Sequence, residues 1–382
     1  MAAVWAVIVS ALFLQAGNGL QTDLIGLRAD SEGFRSAVIG LMMAAYYIGY
    51  SLAPLVGRSI IARAGHARTI AVAALAAAAV IAVQPYLVSA TVWSGLRAIS
   101  GFALSLTYVA YESWINDRVP NRQRGRVFSF YVFVQMVGMT GAQYLLALGS
   151  AGTAAPFLLA AVLFVAAALP ASFSRHAAPS GAPPEPLGIV PLFATSPLGA
   201  GATVLAGLSW AIMVTFGPVY ARRIGFDLPG VGLFMGVAMA AGGALQIPLG
   251  WLSDLAGRRR VIALMFGVAL AASVFGLWAV GRGETMNLIA FGIAGGFGFP
   301  IYAVSVAHVN DRLATETRVA AAAGLVLLFG IGSFFGPLLC GPLLAAMGPG
   351  GFYVLLAATM ATGMVLAAGD FFRTFAPRAP AP

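Results

Sequence analysis

Charge is the scarcest property of this chain. Only 9% of its 382 residues are Asp, Glu, Lys or Arg, against roughly 25% in ordinary soluble domains, so most of its length is excluded from facing water. Lysine is absent: all 21 basic residues are arginine, set against 12 acidic ones. The single cysteine, Cys340, lies in an apolar stretch, which excludes a disulfide framework and a thiolate metal cluster. Histidine is nearly missing too. His66 and His176 fall in short polar segments and His308 has no evident catalytic partner. There is no H-E-x-x-H, no paired acidic metal motif, no phosphate loop and no nucleophile set beside a base. An enzyme, a metal site or a bound cofactor is therefore not expected.

What the chain has in excess is apolar length. Hydrophobic residues make up 60% of it, and a membrane-crossing helix needs about 20 of them in a row. About twelve such segments occur, near 3–24, 35–56, 69–90, 91–116, 127–149, 153–172, 197–221, 229–252, 261–281, 285–310, 319–345 and 349–371. Backbone polar groups inside a bilayer must be satisfied within the segment, so each is expected to be helical. The first starts almost at Met1 with no basic run before it and carries Gln15, Asn18 and Gln21, unlike a cleavable signal peptide. The expected fold is an all-α membrane protein of about twelve transmembrane helices.

The arginines set the orientation. Fifteen occupy one alternating set of loops and tails: Arg58, Arg63, Arg68, Arg118, Arg122, Arg124, Arg126, Arg175, Arg258, Arg259, Arg260, Arg312, Arg318, Arg373 and Arg378. Five lie opposite: Arg28, Arg35, Arg222, Arg223 and Arg282. By the positive-inside rule the rich side is cytoplasmic, and an even number of spans puts both termini there. The net charge of +9 is then a topology signal. Nucleic acid is excluded as a partner because no basic patch sits on a soluble fold.

Between Ser172 and Pro197, Pro179, Pro183, Pro184, Pro186, Pro191 and Pro197 alternate with small residues, the composition of an extended or flexible linker. It divides the chain into an N-terminal six-helix bundle (1–172), a cytoplasmic linker (173–196), a C-terminal six-helix bundle (197–372) and a tail (373–382). The two halves echo each other. Tyr108 and Asn116-Asp117-Arg118 close segment four as Tyr302 and Asn310-Asp311-Arg312 close segment ten, at an offset of 194. Gly101 with Gly295 and Gly138 with Gly332 share that offset, and Gly57 with Gly250 differ by 193. Repeated halves in a pseudo-symmetric pair are the build of alternating-access transporters.

The polar turn Gly250-Trp251-Leu252-Ser253-Asp254-Leu255-Ala256-Gly257-Arg258-Arg259-Arg260 separates two apolar segments. Gly250 would let helices approach closely, Gly257 would permit a tight turn, Asp254 can pair with an arginine, and the arginines hold the turn at an anionic membrane surface. The pattern G-x-L-x-D-x-x-G-R-R resembles the signature loop of the major facilitator superfamily. The resemblance covers nearly the whole chain. It implies that Gly250, Asp254, Gly257, Arg258 and Arg259 join helices that separate when the cytoplasmic side opens. The corresponding first-half loop, from Gly57 through Arg63 and Gly65 to Arg68, lacks the acidic position and is one residue longer. Glu112-Ser113, the Asn121-to-Arg126 run and the end of segment ten resemble the YcaD-type bacterial inner-membrane branch. That likeness implies a multi-pass inner-membrane transporter and no particular substrate.

Polar stripes at helical spacing mark the candidate pathway. Arg97-Ala98-Ile99-Ser100-Gly101 resembles the superfamily's R-x-x-x-G pattern, which the resemblance links to proton coupling. Arg97, Gly101, Ser105, Tyr108 and Glu112 fall on one helical face. An intramembrane charge is a functional candidate, although Arg97 can alternatively snorkel outward and Glu112 can pair with Arg122, Arg124, Arg126 or Arg318. Gln15, Asn18 and Thr22 share a side of segment one, where Gly17 and Gly19 would loosen the helix. Tyr46 and Tyr50, then Phe128, Tyr131, Gln135 and Met139, then Trp210 and Met213, then Met239 and Gln246, and finally Tyr302, Ser305 and His308 after the break Gly295–Pro300 complete the set. Polar side chains also join helices in lipid, but their convergence describes a cavity of amides, aromatics and methionines. The glycine-proline run Gly330–Pro342 resembles the antiporter motif but lies in segment eleven rather than five, where packing and bending are its expected use.

These features predict a monomeric secondary active transporter of a small organic solute, working by alternating access with protons as the coupling ion and a lipid bilayer as its solvent. A multidrug-type proton antiporter is the alternative within transport. A transport-inactive receptor or scaffold is the alternative outside it.

Overall fold

The computed structural model describes residues 2–146, 149, 152–172, 188–314 and 317–375. Most of the proline-rich linker, with Arg175 and His176, and the end of the tail, with Arg378, lie outside the described residues. Within them the chain is helical throughout: α1 (Ala2–Ser31), α2 (Ser36–Ala64), α3 (His66–Val83), α4 (Ala90–Arg118), α5 (Asn121–Leu145), α6 (Ala155–Ser172), α7 (Ile189–Thr195), α8 (Pro197–Arg223), α9 (Leu228–Ala256), α10 (Arg258–Ala279), α11 (Glu284–Gly298), α12 (Ile301–Asn310), α13 (Arg318–Met347) and α14 (Gly350–Phe375). Several helices outrun the apolar segments that mark them. Backbone hydrogen bonding continues past the hydrocarbon boundary, so α1 reaches Ser31 and α2 reaches Ala64.

Among the described residues nine helical spans are long and apolar enough to cross a membrane, with α11 and α12 counted together as Glu284–Asn310. The chain is a multi-pass membrane protein. Helix α6 offers a shorter apolar stretch, Ala155–Pro170, while α4 and α5 fall outside the count because they carry Arg97, Glu112, Gln135 and their polar neighbours. Much of the outer surface is apolar, with Leu41, Ile48, Leu55, Val72, Val162, Ile247 and Val365 all exposed.

Helices α1–α6 pack chiefly on one another: α2 on α4, α1 on α5 and α6, α3 on α4 and α6. Helices α8–α14 do likewise, α8 on α13, α9 on α11, and α10 on α11 and α14. The halves meet through α2 on α13, α5 on α9 and α1 on α8. Glycines set the closest crossings. A Cβ at Gly101 would overlap the Tyr46 carbonyl and one at Gly49 the Ala98 carbonyl, so α2 and α4 touch backbone to backbone. A Cβ added at Gly295, which lies 194 residues after Gly101, would come within 2.7 Å of Ala238 across α11 and α9. Gly138 meets the Leu12 carbonyl, and its repeat partner Gly332 meets that of Val204. The spacing found in the sequence is therefore a spacing of helix crossings.

Three expectations change here. Gly17 and Gly19 do not loosen α1, which is continuous; an added Cβ would lie 2.9 Å from Phe164 of α6 and 2.9 Å from Ala142 of α5, so they admit neighbours. Gly250 makes no close helix contact, since nothing lies within 4 Å of its added Cβ. At the end of the linker, Ile189–Thr195 folds as a short helix whose Leu192 is buried with Ala200, Val309 and Leu325. The break in segment ten is present: α11 stops at Gly298 and α12 resumes at Ile301 after Pro300, a residue that cannot continue the hydrogen-bond ladder.

Candidate functional site

Helix α1 starts and α14 ends at one face of the molecule, the terminal face; α1 ends and α2 begins at the opposite, distal face. The distal face is closed between halves. Arg223, at the end of α8, bonds Asp30 of α1 at 2.6 and 3.1 Å and the Ser36 hydroxyl of α2 at 2.9 Å. Gly40 of α2 abuts the Pro337 carbonyl of α13, Gly341 of α13 abuts that of Ser36, and Gly232 of α9 abuts that of Gln143 of α5. Nearer mid-depth, a Cβ added at Gly330 would lie 2.6 Å from the Ser51 hydroxyl and one at Gly243 3.2 Å from Met136. Near the terminal face, the ion pairs of Arg258 with Asp254 and Asp311 lie within the second half.

Burial follows the same gradient. On α1, Gln15 and Asn18 are half-buried whereas Gln21, Thr22 and Asp23 are buried. On α4, Glu112 is exposed, Tyr108 half-buried, and Ser105 and Arg97 buried. Glu112 forms no ion pair with Arg126 or Arg318; the side chains of Arg122 and Arg124 lie outside the described residues. Glu112, Tyr108, Ser105 and Arg97 thus run along one face of α4 from exposed to buried, the outline of a crevice that narrows away from the terminal face.

At the inner end of that crevice is a cavity of about 190 Å³, lined from one half by Gln15, Val132, Gln135, Met136, Met139 and Thr140 and from the other by Trp210 and Met239. Its polar wall is one network. The Gln15 amide nitrogen donates to Gln135 Oε1 at 3.1 Å, and the Tyr108 hydroxyl donates to Gln15 Oε1 at 2.8 Å. Asn18 Nδ2 reaches both Gln15 and Tyr108, at 3.4 and 3.5 Å. The amides fix each other's positions and present donors and acceptors without net charge. The Trp210 ring, held edge-on by Phe299 at 4.8 Å, forms the opposite wall.

Beyond Tyr108 lies an aromatic cluster. Tyr50 is 6.4 Å from Tyr108 and 6.0 Å from Tyr46, and Tyr47 is 5.1 Å from Tyr46. The Arg97 guanidinium sits 4.4 Å over the Tyr46 ring, only 2% exposed, with Nε and Nη1 lacking hydrogen-bond partners. Arg97 thus points into the protein rather than snorkelling outward. Its burial is offset by cation–π attraction, and it leaves hydrogen-bond donors unused.

Not every stripe residue reaches the cavity. Gln246 is half-buried farther along α9 and does not line it. His308 is buried near the end of α12 and contacts Arg312 one turn on. Tyr302 packs on Phe329 at 4.9 Å. Sequence reasoning also missed residues: Asp23, buried in α1, and the Asp30–Arg223 pair that ties the halves. An acidic residue inside an apolar segment is itself a signal for the first; the second follows only from tertiary proximity.

The signature turn is an ion-pair network. Gly257 has φ +91°, which favours glycine. Arg258 bonds Asp254 at 2.6 Å, Asp311 at 3.1 Å and the Ser253 hydroxyl at 2.7 Å, while Arg259 and Arg312 each lie 3.9 Å from Asp370. The first-half turn keeps the geometry with other residues. Gly65 has φ +77°, and His66 lies 2.9 Å from Ser113 and 3.6 Å from Asp117. A Cβ added at Gly57 would lie 3.2 Å from Leu106, and Arg63 is exposed.

Comparison with known proteins agrees. A profile described as Major Facilitator Superfamily matches residues 2–282 and 199–381. An MFS-type transporter of Enterobacter sp. (strain 638) is 25% identical over 328 residues, 85% of each chain, and the MFS-type transporter YcaD of Escherichia fergusonii is 24% identical over the same share. The fold is similar to that of the nucleoside transporter NupG, with TM-score 0.82 and 15% identity over 99% of this chain and 100% of that one. It is also similar to a bacterial homolog of the human lysosomal transporter Spinster in an inward-facing, occupied conformation, with TM-score 0.80 and 16% identity over 99% and 98%. A D-xylose-proton symporter follows at TM-score 0.73 and 13% identity over 96% of each chain.

Proposed function

The chain belongs to the Major Facilitator Superfamily, and on that premise we propose that it is a secondary active transporter that moves a small organic solute by alternating access, coupled to protons. In this reading α11 and α12 are two parts of one span, giving twelve spans, six on each side of α7, in two pseudo-symmetric bundles. It works as a monomer in a bacterial inner membrane with both termini cytoplasmic. The terminal face is then the cytoplasmic one, and the conformation is inward-open.

One observation carries the reading: Gln15 and Gln135 from one half and Trp210 and Met239 from the other wall a single cavity at the closed end of a crevice. A site shared by two bodies changes its access when the bodies rock. The uncharged amide network and the tryptophan suit a neutral solute with a flat or apolar body and several hydrogen-bonding groups. Arg97 gives a negative group somewhere to go once Tyr46 moves. Structural neighbours named for nucleoside and xylose-proton transport support this class of cargo. Met136, Met139 and Met239 favour a second reading, multidrug export, because flexible thioethers repack around many shapes.

The test is purified protein in liposomes, screened by thermal shift and then by uptake under an imposed pH gradient. Saturable, gradient-driven flux of one compound, lost in Arg97→Ala while the protein stays folded, is the expected result. Many weak apolar binders select export, and binding without flux selects a receptor that has lost transport.

A further inference from the structure

The cavity between the halves is small. Its volume of about 190 Å³ is little more than the roughly 150 Å³ of an engineered apolar cavity that holds benzene. It therefore admits one ring with a small substituent and leaves the remainder of a longer solute in the crevice. Its apolar side suits a ring. Val132, Met136, Met139 and Met239 give aliphatic and adaptable thioether contact, and Trp210 gives aromatic surface. Trp210 is itself held in place: Phe299 stands edge-on to it, and an added Cβ at Gly242 of α9 would lie 2.7 Å from the Phe299 ring.

The polar side has a direction. Gln15 Oε1 accepts from the Tyr108 hydroxyl at 2.8 Å and from Asn18 Nδ2 at 3.4 Å, which occupies both lone pairs of that oxygen. Gln15 Nε2 donates to Gln135 Oε1 at 3.1 Å. Of the four N–H groups on these two amides the network uses one, and of the four lone pairs it uses three. Donors are left over. Tyr108 of α4 sets this direction, because by holding the Gln15 oxygen it turns the Gln15 nitrogen toward Gln135 of α5.

A wall with spare donors and no formal charge favours an uncharged oxygen acceptor. A carboxylate would exchange its hydration for neutral amides, with no cation among the residues lining the cavity, and that exchange is costly. A polyol brings a proton on every hydroxyl and finds few open lone pairs, and a buried donor without an acceptor is costly as well. A carbonyl oxygen meets neither penalty.

We propose that the cavity recognises an uncharged aromatic ring bearing a carbonyl oxygen. The ring packs on Trp210 and the methionines, the oxygen accepts from the amide nitrogens of Gln15 and Gln135, and Tyr108 is the positioning residue that fixes which way the amides point. The proposal rests on the transporter reading above and names the chemical class of the end of the solute that is held.

The experiment uses matched probes on the purified full chain in lipid nanodiscs, with dissociation constants read by ligand-observed NMR against empty nanodiscs. Acetophenone carries the ring and the carbonyl, isopropenylbenzene replaces that oxygen with an isosteric methylene group, aniline carries donors and benzoate is charged. Acetophenone is expected to bind about tenfold tighter than isopropenylbenzene, the worth of one well-made hydrogen bond, and tighter than aniline or benzoate. Tyr108→Phe keeps the ring and opens a lone pair on Gln15. Its preference for acetophenone over aniline should shrink by about threefold or more, while isopropenylbenzene binds as before, which a merely structural loss would not allow. Gln135→Met, similar in volume and without an N–H, should lose the acetophenone advantage alone. Equal binding of acetophenone and its isostere, a preference for aniline or benzoate, or equal losses of every probe in both variants overturns the assignment. Failure of the transporter reading looks different: the same probe order without gradient-driven uptake of any carbonyl-bearing solute removes transport and leaves the assignment standing, whereas saturable uptake confined to solutes outside this class keeps transport and removes the assignment.

Discussion

The two polar turns occupy matching places in the repeated halves and hold themselves differently. After α9, Gly257 is followed by arginines that engage Asp254, Asp311 and Asp370. After α2, Gly65 is followed by His66, which engages Ser113 and Asp117; Asp117 and Asp311 share the 194-residue offset. The turn backbone and the receiving acid are kept, and the cation is changed. The second turn is thus held by arginine ion pairs, and the first by an imidazole set against a hydroxyl and a carboxylate. The lack of an acid in the first loop is not a lack of an anchor.

The comparison breaks most severely at the paired crossings. The repeat partners Gly138→Val and Gly332→Val drive a side chain into a facing carbonyl in each half, and each is expected to cost about 3 kcal/mol or more, seen as loss of monodisperse, heat-stable protein. A tolerated valine at either site would show that the halves do not share this packing rule.

Arg258→Ala comes next. It severs bonds to Asp254, Asp311 and Ser253 at once. Because the pairs are partly solvated, the expected loss is about 1 kcal/mol, a drop of about one degree in Tm. His66→Gln sharpens the contrast: the glutamine can still bond Ser113 but loses the ring packing on Trp114, so a loss of about 1 kcal/mol or less is expected, read as a drop in Tm no larger than that of Arg258→Ala. A markedly larger drop would make His66 the stronger anchor of the two turns.

The smallest effect separates the repeat partners Gly57 and Gly250. An added methyl at Gly250 meets nothing within 4 Å, whereas one at Gly57 meets Leu106 at 3.2 Å. Gly250→Ala should be neutral or gain up to about 1 kcal/mol from helix propensity, and Gly57→Ala should gain less or lose stability, as read by paired thermal melts.

The sequence carries much of this account because lipid imposes simple demands. Apolar runs near 20 residues locate the spans, and the 194-residue offset locates the crossings. Helix ends are less legible, since hydrogen bonding in α1 and α2 outlasts the apolar run. Helix α7 hides within a proline-rich stretch because Pro191 sits in its first turn, where no intrahelical donor is needed. At the site, Gln15, Asn18, Tyr108 and Gln135 are readable as polar positions on helical faces, and they form one network. Asp23 escapes because Gln21 and Thr22 beside it form no stripe with it. Which face is closed is not legible in the sequence, because the closing contacts are long-range pairs such as Asp30 with Arg223.

Reciprocal opening of the two faces is the most direct test. Spin-label pairs at the exposed terminal positions Arg63→Cys and Arg260→Cys, and at the distal positions Arg35→Cys and Met347→Cys, would be followed in lipid while pH or solute is varied. The account predicts that one separation shortens as the other lengthens. Two separations that stay fixed, or that move in the same sense, would contradict it.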